Sequence, residues 1–200
     1  MIVETVKNLF DSKAEILAYQ ADCHGYMDSD VSGAIRHKML STYQYIAFRD
    51  MCSDTPKEKL LGNVQLVLTG KGKYIANLFS GYRTVENEMK TDYEALEKAL
   101  IKLEALCREK DIYHVAIPGY LGCEKEQDNW NKVYFKLQDC FLFSPVVLEI
   151  CYLQENIKML KQEMASIPLD IKERIEEQWH GFLTGTKYKA VKGYINSIEL

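Results

Sequence analysis

The sequence predicts an α/β layer sandwich around a mixed sheet, followed by a helical appendix, and three observations carry that expectation. Segments of strand character alternate with segments of helical periodicity as far as Leu153, the order that builds helices onto the faces of a sheet. Asn63 to Leu68 and Lys73 to Phe79 are joined by Gly70-Lys71-Gly72, a hairpin turn that puts an antiparallel pair into that sheet. Past Leu153 only the helical period remains. Residues 1–153 are therefore expected to form one domain and residues 154–200 a helical extension packed on it.

The elements follow in order. Met1 to Lys7 reads as an opening strand, and Glu15 to Gln20 as a short buried strand running into a loop. Val31 to about Met51 places Ile35, Met39, Tyr43 and Ile46 at spacings of three and four, which predicts one helix with one apolar face. Asp54-Thr55-Pro56 ends it, and the hairpin comes next. Thr91 with Glu94 three residues on has the form of a capping box, and Leu96, Leu100, Leu103 and Cys107 make the stripe of a long helix behind it. Tyr113 to Pro118 is a strand, Gly119 to Asn129 a loop, Trp130 to Phe143 a helix and Val146 to Leu153 a last strand. In the appendix, Ile157, Leu160 and Met164 form one stripe and Ile171, Ile175, Trp179 and Phe182 another, with Pro168 between them and a looser tail from Thr184.

Composition narrows the function. Two hundred residues with 47% apolar content suffice for a core without crosslinks. A net charge of -4 gives no basic footprint for DNA or RNA, so no nucleic-acid partner is expected. No apolar run reaches the roughly 20 residues that span a bilayer, so no membrane partner is expected either. Six scattered cysteines with no C-x-x-C pair and no signal-peptide pattern ahead of them suggest reduced thiols in a cytoplasm, with no metal or cofactor implied.

Two loops carry the most information. The first runs from Gln20 through Asp22-Cys23-His24-Gly25-Tyr26-Met27-Asp28-Ser29-Asp30-Val31-Ser32-Gly33-Ala34-Ile35. It resembles the first binding loop of the macro domain, the ADP-ribose-binding fold, in the form common in bacteria and phages. Cys23, Gly25, Met27, Ser29, Val31, Ala34 and Ile35 agree with that pattern, whereas Asp22, Asp28 and Asp30 stand where the family has an asparagine and two glycines. The second loop lies without a gap on the family's other binding loop from Pro118 to Trp130. Pro118, Leu121, Gly122, Cys123 and Trp130 match or nearly match, while Glu124, Gln127 and Asp128 replace glycines and Asn129 an aspartate. Val6 to Ala14, Leu61 to Val67, Tyr74 to Phe79 and Thr91 to Leu96 are similar to family segments in the same order. The resemblance covers roughly Met1 to Leu153 and implies a three-layer α/β/α sandwich.

What the resemblance implies for function turns on the lost glycines. In a phosphate cradle they admit backbone angles closed to other residues and let amide groups approach a diphosphate. The expected ligand residues are Asn8 at the adenine, Phe79 near the distal ribose, Asp22, Gly25, Asp28, Ser29, Asp30 and Val31 in the first loop, and Gly122, Cys123, Glu124 and Asp128 in the second. Their carboxylates make the cleft acidic. The expectation is a non-hydrolytic binding protein for a modified, less anionic nucleotide derivative or for a bacterial protein, and the likeness to phage forms implies counter-defence in a host cytoplasm. The alternative is an ADP-ribosyl hydrolase acting on acidic side chains or on a small ADP-ribose derivative, with Asp22 or Glu126 assisting a water. The attacking lysine of one hydrolase branch falls near Leu78, where the side chain is apolar. His24 beside Cys23 is not a dyad by adjacency alone. Asp28, Asp30 and Ser32 also fit the start of a calcium loop, though Met39 stands where the closing glutamate belongs.

Overall fold

The computed structural model describes residues 1–123 and 130–154, all within one compact unit, Met1–Gln154. Along it run β1 (Ile2–Val6), a 3-10 turn (Leu9–Asp11), β2 (Ile16–Asp22), α1 (Asp30–Lys38), α2 (Thr42–Asp54), α3 (Lys57–Leu60), β3 (Val64–Leu68) and β4 (Tyr74–Arg83). There follow β5 (Met89–Thr91), α4 (Tyr93–Glu109), β6 (His114–Pro118), α5 (Trp130–Phe141) and β7 (Val147–Tyr152). The seven strands form one sheet in the order β1-β7-β6-β2-β4-β3, with β5 paired to β4. β1, β7, β6, β2 and β4 run parallel. β3 and β5 lie antiparallel to β4, so the sheet is mixed as expected.

Alternation along β2 separates the two faces. Leu17, Tyr19 and Ala21 belong to a cluster with Ile35 and Met39 from the α1 side, Phe48 and Cys52 of α2 and Leu60 of α3. On the other side, Leu96, Leu100, Leu103 and Cys107 of α4 and Val133, Leu137 and Phe141 of α5 are fully buried. α4 packs on β4 and on α5. These are the three layers of an α/β/α sandwich. Parallel strands share one end, so the segments after β2, β4 and β6 emerge side by side, where open α/β sheets place their ligands.

Four sequence expectations are corrected. The single helix from Val31 to Met51 is two helices, because Ser41 accepts from Gln44 N and Gln44 answers with its own side chain, which starts a second helix. Tyr43 and Ile46 accordingly face solvent, and α2 buries Phe48 and Cys52 instead. Thr91 does not cap α4; Asp92 does, accepting from Ala95 N at 2.9 Å. β5 was not anticipated, and three residues paired only to β4 leave little periodicity to read. α5 stops at Phe141, leaving Phe143 almost wholly exposed.

One buried charge is well provided for. Glu149 of β7 accepts from Lys7 Nζ at 2.7 Å, Ser12 Oγ at 2.5 Å and Thr5 Oγ1 at 3.1 Å, with His114 Nε2 3.2 Å away. Burial pulls its carboxyl upward, but the bonds from Lys7, Ser12 and Thr5 outweigh it and hold the carboxyl at about 2. Among the described residues no helix is long and apolar enough to cross a membrane. The two helices expected beyond Leu153 fall outside the described residues.

Candidate functional site

The first loop leaves the end of β2 at Asp22 and enters α1 at Ser29. Asp22 is only 4% exposed, and both its oxygens are engaged. Oδ1 accepts from His24 N at 2.8 Å, with the His24 imidazole 3.1 Å away, and Oδ2 accepts from Arg83 Nε at 2.8 Å. Arg83, the last residue of β4, reaches further. Its Nη2 donates to Asp28 Oδ1 at 2.5 Å and its Nη1 to Asn87 Oδ1 at 3.3 Å, while the guanidinium carbon lies 4.6 Å from the centre of the Tyr26 ring. One arginine thus gathers two of the three aspartates that replace the family's polar and glycine positions. The third, Asp30, is exposed in the first turn of α1.

The rest of the loop is fixed by packing and capping. Gly25 has φ +79, an angle that side-chain-bearing residues rarely adopt, and a Cβ there would sit 3.1 Å from Cys52 Cβ and 3.3 Å from Arg49 Cα, so α2 would have to give by a few tenths of an ångström. Ser29 and Ser32 form a reciprocal capping box at the start of α1. Val31 is half-buried against the cluster beneath. Cys23 and Cys52 lie buried beside Asp22; burial first, and then the Asp22 charge, push both thiols up to about 12, so both stay protonated near neutrality.

Residue by residue, the expected ligand set divides. Phe79 is 2% exposed and stacks on Phe48 with ring centres 6.0 Å apart, so it packs in the core. Asn8 is exposed, and its Oδ1 accepts from Phe10 N to cap the 3-10 turn. That oxygen has a second lone pair with which to accept another hydrogen bond. Of the calcium-loop candidates, the Ser32 hydroxyl is turned into the capping box and Asp28 toward Arg83, while Asp30 is exposed. Among the described residues no group of three or more His, Cys, Asp or Glu side chains is placed to hold a metal ion. Leu78, near which the resemblance puts the hydrolase lysine, is fully buried.

The second loop is described only at its start; Glu124, Glu126 and Asp128 lie outside the described residues. Gly122, with φ +72, is held over β2 and β5: Thr91 Oγ1 donates to Gly122 O at 2.6 Å and accepts from Gln20 Nε2 at 2.9 Å. A Cβ on Gly122 would meet Gln20 Nε2 at 3.2 Å and Thr91 Cγ2 at 3.3 Å. Cys123 N closes a turn onto Tyr120 O, and Tyr120 itself adopts φ 60. A non-glycine residue in that region marks a backbone held by its surroundings. The surroundings here are the rings of Trp130 and Tyr152, at 5.4 and 6.1 Å. Sequence reasoning missed Arg83, Thr91 and Gln20 as site-building residues. Arg83 carried one readable signal, as the basic residue that closes a long apolar strand.

No protein-family model matches this sequence, and no curated protein matches it. Solved structures do. The macrodomain of Mycobacterium tuberculosis DarG superposes with a TM-score of 0.64 at 23% identity, over 76% of this chain and 97% of that one. The macrodomain of Thermus aquaticus DarG gives 0.62 at 18%, over 76% and 97%. Thermosipho africanus DarTG in complex with ADP-ribose gives 0.62 at 17%, over 76% of this chain and 41% of that longer one. With this strand order, these three layers and solved macrodomains superposing over about three quarters of it, this chain has the macro-domain fold.

Proposed function

We propose that this protein is a macro-fold binding module that holds a nucleotide-derived ligand between the loops after β2 and β6, and that it does not hydrolyse an ADP-ribosyl bond. The observation that carries this reading is the state of Asp22. A general base needs access to the water it deprotonates, whereas Asp22 is only 4% exposed, with one oxygen on Arg83 and the other on His24 N. Among the described residues, Leu78 is apolar and the Cys23 thiol is pushed up to about 12, so neither supplies a nucleophile near neutrality. The class of ligand comes from the likeness to a DarTG structure that holds ADP-ribose.

Charge then selects within that class. Two of the three first-loop aspartates share one guanidinium and the third, Asp30, is exposed, so two of the three negative charges have no guanidinium to offset them. A carboxylate about 5 Å from a phosphate costs roughly 3 kcal/mol at an effective dielectric near 20. Micromolar affinity amounts to only about 8 kcal/mol. The cleft therefore favours nucleosides and monophosphates over diphosphates.

The test pairs binding with turnover. Adenosine, AMP and ADP-ribose are titrated into the full chain by calorimetry, and ADP-ribosylated protein is incubated with it while free ADP-ribose is assayed. Binding of adenosine or AMP without release supports the reading. Release that disappears in Glu126→Ala or Asp22→Ala would replace it with the hydrolase.

A further inference from the structure

We propose that Arg83 is an anion-binding residue held closed by Asp28, whose carboxylate is a built-in competitor for ligand phosphate and thereby sets the cleft's discrimination against phosphate-rich ligands. The inference rests on the binding function proposed above and names the residue pair that decides which ligands enter.

The two carboxylates on Arg83 are not equivalent. Asp22 has a side chain 4% exposed and is bonded also from His24 N, so it is the permanent counterion that keeps Nε inside. Asp28 has a side chain 60% exposed and reaches Arg83 at Nη2. Its loop is anchored on either side of it, by Gly25 against α2 and by the capping box at Ser29. The Asp28 side chain can therefore turn out to water while the loop backbone stays in place. Doing so uncovers the Nη2 group of a guanidinium already held at Nε by Asp22 and set over the Tyr26 ring.

A guanidinium N–H donates to a phosphate oxygen as well as to a carboxylate. An incoming phosphate oxygen therefore takes the place Asp28 leaves at Nη2, beside Nη1, whose bond to Asn87 is long at 3.3 Å, and binding is an exchange of one anion for another. The start of α1 is a weaker candidate for this role, because Ser29 N and Ser32 N are each committed to the other's hydroxyl. Exchange also explains how an acidic loop remains compatible with an anionic ligand: the cost is the release of Asp28, which water solvates.

The experiment titrates inorganic pyrophosphate into the metal-free full chain at low ionic strength, by calorimetry. Wild type is compared with Asp28→Asn, with Asp30→Asn, and with Asp28→Asn combined with Arg83→Lys, each checked for fold by circular dichroism. Asp28→Asn is expected to bind at least about tenfold tighter than wild type, Asp30→Asn no more than about threefold tighter, and Arg83→Lys to abolish most of the gain. Equal gains from Asp28→Asn and Asp30→Asn would overturn the inference, since they would show bulk charge at work. Absence of pyrophosphate binding in every variant would overturn it too. Pyrophosphate carries no nucleoside, so this result and the adenosine titration fail independently.

Discussion

Replacing Arg83 with methionine is expected to destabilise the protein by about 3 kcal/mol, and the structure supplies the reasons. The Arg83 Nε–Asp22 Oδ2 distance is 2.8 Å, at which unit charges attract by about 6 kcal/mol at an effective dielectric near 20. Desolvation offsets part of this, because Asp22 is 4% exposed and Arg83 17%. Methionine keeps the apolar stem and removes the charge, so Asp22 is left buried with only His24 as a partner, a state that typically costs about 3–5 kcal/mol. We take the lower end because Arg83 retains some access to water. The contact with exposed Asp28 adds no more than about 0.5 kcal/mol. Asp22→Asn keeps an acceptor for His24 N and leaves Arg83 free to pair with Asp28, so it should cost about 1.5 kcal/mol. Once Asp22 is neutral the guanidinium matters less, and the double variant should lose about 2 kcal/mol less than the sum of the singles. Urea unfolding followed by tryptophan fluorescence measures all four proteins. A loss below about 1 kcal/mol for Arg83→Met, or a coupling below about 0.5 kcal/mol, would refute the idea that Arg83 organises the loop.

Other consequences are equally direct. Glu149 has a carboxyl held at about 2 against an ordinary 4.5, so its contribution of about 3 kcal/mol is complete above pH 4.5 and disappears as pH falls toward 2. Thermal melts between pH 6 and 2 should show this acid-labile portion in wild type and lose it in Glu149→Gln. Gly119→Ala places a Cβ 2.3 Å from Tyr152 Cδ1, and the Tyr120 and Trp130 rings confine Tyr152; a loss of about 2 kcal/mol is expected in urea unfolding, and no loss would mean that the ring gives way. Ser41→Ala removes the cap that separates α2 from α1 and should cost about 1 kcal/mol in the same assay.

The layers were legible because their signals are local. Leu96, Leu100, Leu103 and Cys107 repeat at helical spacing and are all fully buried, and the Gly70 to Gly72 turn joins an antiparallel pair as its composition demands. The break between α1 and α2 was hidden by an apolar spacing that continues through Leu40 and Ser41, where a capping side chain decides the backbone. The site was legible as positions and illegible as charges. Asp22, Asp28 and Asp30 read as a repelling row, but the neutralising Arg83 comes from a strand 61 residues after Asp22. Thr91 misled for the same reason, since its partners, Gln20 and Gly122, come from distant parts of the chain. Phe79 sits near a binding position by sequence order, yet strand alternation turns it into the core beside Phe48.

The measurement that bears most directly on the account is calorimetric titration of ADP-ribose into the metal-free full chain at physiological salt. Two uncompensated carboxylates should hold the dissociation constant at about 100 μM or weaker, and AMP should bind at least as well. ADP-ribose bound at or below about 1 μM, and more tightly than AMP, would contradict the claim that these aspartates turn the cleft away from diphosphates.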